Sequence, residues 1–410
     1  MIKRKKIWCI SKYASPPKYG VGARLFYVAR EFSKLDLDVL LVSSNSNHLA
    51  CYPASEKTFN FEEYDNLKHL WIKTLKYTKS ASMKRIMSWI DFEFKLFRIH
   101  KILPEKPDIV IISSLSMFSI LYGLFLKKKF KCKLIFEVRD IYPLTLTEEF
   151  KFGRFNPLVL LLGFLEKIAY NKSDLIVGTM PNLVEHVNLI CKKEKNVYFS
   201  PIGIHELWLK DKTQNPYVDS LFPSESRFIV GYAGSIGTTN AMNSFIEAIK
   251  YMAEEKEVYF VIVGDGDLKK NYIEKLSGLA NVKIGEKISQ NDIPYFLSKC
   301  DLLYLSTHDS KIWKYGQSLN KLVDYMMSEK PVIASFNGYE SMLNQANSGL
   351  FLPINDVEAI INAINKFKDM SEIERKAYGS RGKKWIEENR NYKTISQNYY
   401  AKIMDLYNEK

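Results

Sequence analysis

Short runs of aliphatic and β-branched residues alternate with longer amphipathic segments from one end of the chain to the other. That alternation is the pattern of a parallel α/β protein. The apolar runs predict strands at residues 7–10, 39–42, 109–113, 134–138, 175–178 and 197–200, then at 228–233, 258–263, 282–284, 302–305, 331–334 and 349–352. Between the two sets, residues 210–226 are polar and hold two prolines, which reads as an interdomain linker. The expected organisation is a first domain over 1–209, the linker over 210–226, a second domain over 227–385 and a C-terminal helix over 386–410. That helix carries an aromatic stripe at Tyr392, Tyr399 and Tyr400 and is expected to pack back on the first domain.

Each half opens alike. The first strand leads through Gly20-Val-Gly22 into a helix reaching about Lys34, and the strand at 228–233 leads through Gly234-Ser235-Ile-Gly237 into a helix from about Ala241 to Tyr251. Glycines between strand and helix let the backbone approach a ligand and aim helix N–H groups at it. Two such units predict two doubly wound, Rossmann-like domains facing a cleft, with ligands beyond the carboxyl ends of the strands.

The segment from Tyr315 to Ile333 reads as a polar loop, a helix opened by Ser318 and a buried strand. Ser318 is expected to cap the helix. Lys321 then falls in the first turn, where the macrodipole disfavours a cation unless an anion shares the site. Asp324 follows at i+3 on the same face, within reach of a sugar hydroxyl. A solvated Lys–Asp pair on an exposed helix explains the same spacing.

Composition narrows the partners. The chain has 410 residues, 46% apolar and 26% charged, and a net charge of +13, which points to nucleic acid, nucleotide phosphate or an anionic membrane surface. Five cysteines without close pairs fit neither a disulfide framework nor a zinc site and suggest a reducing compartment. The apolar run after the basic first residues is too short for a signal peptide, and no stretch approaches the roughly 20 residues that span a bilayer. The expected location is cytoplasmic.

Several chemistries recede. Gly20-Val-Gly22 lacks the third glycine of a dinucleotide fingerprint, and the second strand ends without a carboxylate. Asp265-Gly-Asp267 resembles a metal-holding D-x-D but equally suits a turn leaving a strand. Six scattered histidines lack metal-ligand spacing. Arg139-Asp140-Ile-Tyr142-Pro143 sits at a strand's carboxyl end, where Arg139 can pair with a phosphate or with Asp140 and Tyr142 can stack on a sugar. Pro181, Asn182 and His186 lie past another strand. In residues 83–103, Met83, Ile86, Met87, Ile90, Phe94 and Phe97 share one helical face and Lys84, Lys95 and Arg98 another. The face either packs on its own sheet or lies in an anionic lipid interface. No nucleic-acid module is recognisable, and no nucleic-acid partner is expected.

Five segments taken together, Ser15 to Arg24, Glu137 to Pro143, Gly231 to Gly237, Gly264 to Gly266 and Tyr315 to Lys321, resemble the retaining GT-B glycosyltransferases of family 4. The similarity is greatest to the O-antigen and capsule branch typified by L-fucosamine (FucNAc) transferases, and it covers nearly the whole length. It implies a UDP-sugar donor on the C-terminal domain, held by Gly234, Ser235, Gly237, Ser318, Asn320, Lys321 and Asp324. It implies an acceptor on the N-terminal domain near Gly20, Gly22, Arg24 and Tyr142, with Lys321, Arg139 and Asp140 in the catalytic machinery. Asp324 falls on the second acid of the family's Glu-x7-Glu signature, and Gly316 replaces the first. The resemblance further implies no metal or other cofactor, an undecaprenyl-diphosphate-linked saccharide as acceptor, and a peripheral position on the inner face of the cytoplasmic membrane. A UDP-HexNAc 2-epimerase or a non-catalytic partner subunit of the same fold would share these segments.

Overall fold

A computed structural model describes residues 4–20, 23–46, 51, 53, 55–77, 82–114 and 116–408. The chain divides into two compact units, one formed by Met1–Pro201 with Tyr392–Lys410 and the other by Ile202–Asn391. The stretch read as a linker belongs to the body of the second unit. Asn215 caps a short helix, Pro216–Asp219, and Val218 and Leu221 are buried in that unit's core. Its polar composition hid two apolar anchors.

The first unit is built on eight strands: β1 (Lys5–Ile10), β2 (Leu37–Ser44), β3 (Phe59–Tyr64), β4 (Leu67–Ile72), β5 (Ile109–Ser113), β6 (Lys133–Val138), β7 (Leu175–Gly178) and β8 (Val197–Phe199). Their order is β3-β4-β2-β1-β5-β6-β7-β8, parallel throughout except for the β3–β4 hairpin. That hairpin was not expected from the sequence. β3 is partly exposed and mixed in polarity, and in β4, buried except at Lys68, the pair Lys68-His69 leaves an apolar run of only three residues, Leu70 to Ile72; the signal that was available is the Asp65-Asn66 turn, with Asp65 at φ 52°. Strand order advances in one direction from β4 to β7. Right-handed crossovers therefore put the helices Met83–Leu96, Ser119–Phe130 and Pro157–Lys172 on one face. Ala23–Ser33 packs with the C-terminal helix Tyr392–Asn408 on the other face, where Phe32 meets Tyr399 and Tyr27 meets Tyr392.

The second unit holds six parallel strands: β9 (Phe228–Ala233), β10 (Val258–Val263), β11 (Val282–Gly285), β12 (Leu302–Ser306), β13 (Val332–Ser335) and β14 (Gly349–Leu352). Their order is β11-β10-β9-β12-β13-β14. Strands buried on both faces show as continuous apolar runs, and successive residues feed different cores. On β9, Phe228, Val230 and Tyr232 enter one core, while Ile229 and Ala233 enter the other. Gly231 faces Cys300, whose Sγ lies 2.3 Å from where a Cβ would be. The whole-chain architecture is the GT-B fold.

Gly231→Ala should therefore lower stability by about 1–3 kcal/mol, read as a shifted denaturation midpoint. Gly153→Ala, where a Cβ would meet nothing within 4 Å, should leave it unchanged.

Candidate functional site

At the carboxyl edge of the second unit's sheet, Tyr232 is the next-to-last residue of β9; its ring is buried and its hydroxyl reaches the strand end. That hydroxyl donates to the Ser235 carbonyl (2.6 Å) and accepts from Lys321 Nζ (2.8 Å). Lys321 Nζ also donates to Asn240 Oδ1 (3.3 Å), and Asn240 is itself fixed through its carbonyl by Ser306 Oγ (2.6 Å). The ammonium lies 4.3 Å from the Tyr232 ring centroid. A Cβ on Gly234 would sit 2.5 Å from both Cε and Nζ of Lys321, so residue 234 is open because the lysine fills its side-chain space. Burial pushes the Lys321 ammonium down to about 7, and no carboxylate offsets it.

The glycine turns bring two loops into backbone contact. A Cβ on Gly264 would lie 1.8 Å from the Gly234 carbonyl oxygen, and one on Gly266 would lie 2.3 Å from that of Ile236. Gly237 lies beside Asp267, whose carboxylate accepts from the Thr238 amide and hydroxyl (3.3 and 2.8 Å). Asp265 accepts from the Gly266 amide (2.9 Å). Both acids of the D-x-D are thus engaged in organising the turn.

Three expectations need correction. Ser318 does not cap the helix: the helix runs Asn320–Met327, its N-cap is Leu319, and the N-cap makes no side-chain bond to the first turn. Its opening N–H groups therefore lack the cap that a serine would supply. Lys321 remains in the first turn beside the exposed Asn320. The helix after the second glycine turn starts at Asn243 rather than Ala241, because a 3-10 turn, Thr238–Asn240, and Ala241 at φ 46° intervene. That turn is what delivers Asn240 to Lys321. Asp324, for its part, is no half of a solvated pair: it accepts from Trp208 Nε1 (2.7 Å), and burial pushes its carboxyl up to about 6 against that bond.

Sequence reasoning missed Tyr232, Asn240, Trp208 and Gln317. Gln317 is buried beside Gly316, which adopts φ 102°, and neither end of its carboxamide has a partner. A buried amide without a partner is costly. The signal available was its place inside the same loop as Lys321.

In the first unit, Arg24 is buried and saturated. It donates to Glu137 Oε2 (2.7 Å), to Ser200 at both its carbonyl (2.7 Å) and its hydroxyl (2.8 Å), and to the Pro201 carbonyl (3.1 Å). It is a structural tie across strand ends, and its guanidinium is not free for an acceptor. Arg139 and Asp140 are half-buried at the end of β6, and Arg139 Nε has no partner. Burial, then the nearby Arg24 charge, lowers Arg139, while burial raises Asp140 against the Arg139 charge. Tyr142 is half-buried and joined to Pro143 by a cis peptide. Gly20 ends a 3-10 turn at φ 108°, and Gly22 lies outside the described residues. His186 is occupied by buried Glu166 (2.8 Å). Lys12, which the sequence did not flag, is fully buried just past β1. It donates to Ser88 Oγ (3.0 Å), and burial brings it to about 7.

Residues 227–369, which hold the Lys321 site, match the protein family described as "Glycosyl transferases group 1". A stretch of 134 residues is 30% identical to an Escherichia coli enzyme named UDP-Gal:alpha-D-GlcNAc-diphosphoundecaprenol alpha-1,3-galactosyltransferase. The match spans 30% of this chain and 32% of that protein, about a third of each. Solved structures are similar over almost the full length. Sucrose-phosphate synthase from Thermosynechococcus elongatus superimposes with TM-score 0.73 at 15% identity, covering 99% of this chain and 100% of that one. An E. coli structure described as trehalose-6-phosphate bound with UDP-2-fluoro glucose gives 0.71 at 11%, covering 98% and 99%. Anabaena HepE in complex with UDP and glucose gives 0.63 at 14%, with the same coverage.

The two shifted groups set a sign for ligand binding. If a diphosphate binds Lys321, its affinity falls as pH rises through about 7, when the free ammonium loses its proton. If a ribose binds Asp324, affinity also falls as pH drops through about 6. Calorimetry with UDP should show both limbs, with proton uptake above about pH 7. Lys321→Ala should remove the alkaline limb and leave the acid one.

Proposed function

We propose that the chain is a glycosyltransferase that moves a sugar from a UDP-sugar to a lipid-linked saccharide in surface-polysaccharide biosynthesis, O-antigen or capsule. The second unit takes the donor and the first the acceptor. The carrying observation is Lys321: a half-buried ammonium with no carboxylate partner among the described residues, held by Tyr232 and Asn240 at a helix N-terminus and a strand's carboxyl end. Such a group is stabilised by an anion, and a diphosphate supplies one. Asp324 and Trp208 would hold the ribose side, with Gly234, Ser235 and Gly237 lining the phosphates. The UDP and UDP-sugar in two fold neighbours, and the diphosphoundecaprenol in the name of the E. coli relative, support the two substrate classes.

In this reading the bond between the sugar's anomeric carbon and the β-phosphate oxygen breaks, and the acceptor hydroxyl oxygen forms the new one. Asp140 takes the hydroxyl proton, while the electron pair of the broken bond leaves on UDP. Lys321 and the helix N–H groups meet the charge that develops there. No metal is assigned, and the stereochemistry is retention. The sugar is an N-acetylated deoxyhexosamine, as in the FucNAc-transferase branch of family 4. Gln317, next to the Gly316 that replaces the family's first glutamate, reads a polar substituent of it. A lipid-linked acceptor also implies an anionic membrane surface as partner and a peripheral position on the inner face of the cytoplasmic membrane.

Incubating the protein with UDP-sugars, with and without membrane lipid extract, tests the proposal. UDP release that requires the extract supports transfer. Acceptor-free conversion of UDP-HexNAc would identify a 2-epimerase, and no turnover with no UDP binding would leave a non-catalytic subunit. Lys321→Ala should cut turnover by about 10²-fold or more. Gly234→Ala should approach the same loss, because the new methyl would lie 2.5 Å from Nζ and displace the lysine. Gln317→Ala should raise the donor KM by about tenfold while the Kd for UDP alone stays unchanged; equal weakening of both would remove Gln317 from the sugar.

A further inference from the structure

The helix Met83–Leu96 is inverted relative to the usual amphipathic arrangement. Ser88, Phe92 and Leu96 are its buried residues, and Ser88 receives the Lys12 ammonium. Met83, Ile86, Met87, Ile90 and Phe94 face solvent, with Phe94 72% exposed. The reading in which this apolar face packs on its own sheet is thereby overturned. A second helix on the same face of the sheet repeats the feature. Pro157–Lys172 leaves Leu158, Leu160, Leu161 and Phe164 exposed, preceded by Phe152 and by Phe155 at 78%. Ser119–Phe130 packs against both helices and adds the exposed Leu121 between them. Large apolar side chains thus recur across one helical layer, beyond what a monomer ordinarily leaves in water.

The exposed charges on the three helices are of one sign. Lys84, Arg98, Lys128, Lys151, Arg154 and Lys167 are exposed on or beside the three helices. The carboxylates of these helices turn elsewhere. Asp91 pairs with Lys95 (2.8 Å), Glu93 accepts from Ser116 and Ser119 (2.6 Å each), and Glu166 is buried against Tyr170 and His186.

We propose that this helical layer docks on an anionic lipid bilayer, with the aromatic and aliphatic side chains entering the headgroup boundary and the cations meeting lipid phosphates. Apolar residues flanked by lysine and arginine are what an interfacial surface needs. A second copy of the chain is a poorer occupant, because a two-fold contact brings the same cations face to face. No helix among the described residues is long and apolar enough to cross a membrane, so this contact lies in the interface plane. The inner sides of the same layer reach the first unit's strand ends: Trp89 donates to Tyr13 just past β1, and Gly163 packs near Pro143, which follows Tyr142. Docking would therefore hold the first unit's strand ends near a lipid-borne saccharide. Only that purpose rests on the proposed activity; the docking itself does not.

The test is co-sedimentation with vesicles of phosphatidylcholine, with and without about one third phosphatidylglycerol. The wild-type chain should bind the anionic vesicles, less at high salt. Ile90→Glu with Phe94→Glu, and separately Phe155→Glu with Phe164→Glu, should each weaken binding on the order of tenfold or more. All four positions are exposed, and unchanged thermal melts would confirm folding. Tyr251→Glu, an exposed apolar position of the second unit, is the control and should bind like wild type. Wild-type protein that ignores anionic vesicles, variants that bind as well as wild type, or a dimer that the paired substitutions dissolve would each overturn the proposal. UDP release with a detergent-solubilised acceptor should persist in every variant. Wild-type protein that fails to bind anionic vesicles while that turnover remains defeats the docking alone, and turnover absent from wild type that still docks defeats the enzymatic reading alone.

Discussion

A half-buried ammonium without a carboxylate among the described residues is the constraint around which the second unit's strand ends are arranged. Desolvation disfavours the charged form of Lys321, so every neighbour must either supply an acceptor or leave room. Tyr232 supplies one because its ring is anchored in the core below while its hydroxyl stands at the edge of β9. Asn240 supplies the other because a 3-10 turn replaces the first turn of the expected helix. Gly234 leaves the room. Close approach then propagates outward: Gly264 touches the Gly234 carbonyl, Gly266 touches that of Ile236, and Asp267 holds the turn at Thr238. These positions are coupled because they share the space and the acceptors around one cation.

The parallel strands were legible because burial on both faces writes continuous apolar runs. β5, β9, β10 and β14 have the expected bounds. What escaped was structure whose signal is not an apolar run. In the β3–β4 hairpin, β3 is partly exposed and Lys68-His69 shortens the apolar run of β4, and the 210–226 segment joins its unit through two buried residues in a polar stretch. At the site, the lysine was legible because a cation in a first helical turn is electrostatically awkward. Its supports were not, since Tyr232 and Asn240 lie 89 and 81 residues away along the chain and only the parallel sheet brings them together. Ser318 shows the opposite error: a good capping residue lay one position outside the cap, and Leu319 took its place.

Residue type also misleads about availability. Arg24 follows a glycine turn and looks suited to an anion, yet groups at the ends of β6 and β8 engage all three of its guanidinium nitrogens, with Glu137 as its charge partner. Removing one member of such a buried pair strands the other, so the pair is better evidence for how the strand ends are tied than for substrate contact. Arg139, next in line, keeps an unpartnered Nε and lies among charges that act on it in opposite directions. Of the two arginines, Arg139 retains the capacity to meet a ligand.

Hydrophobic periodicity fixes that a helix has an apolar side, not which way that side turns. Over residues 83–96 the turning is decided by Lys12. A buried ammonium just past β1 needs oxygen acceptors, and Ser88 is one of them, at 3.0 Å. Bringing Ser88 inward carries Phe92 and Leu96 with it along one stripe and rotates Met83, Met87, Ile90 and Phe94 outward. The exposed apolar face is therefore a consequence of satisfying a buried charge. In both units a desolvated lysine sets the local geometry: in the second the half-buried Lys321 holds a strand edge open beside a glycine, and in the first the buried Lys12 turns a helix so that its apolar side meets whatever lies outside.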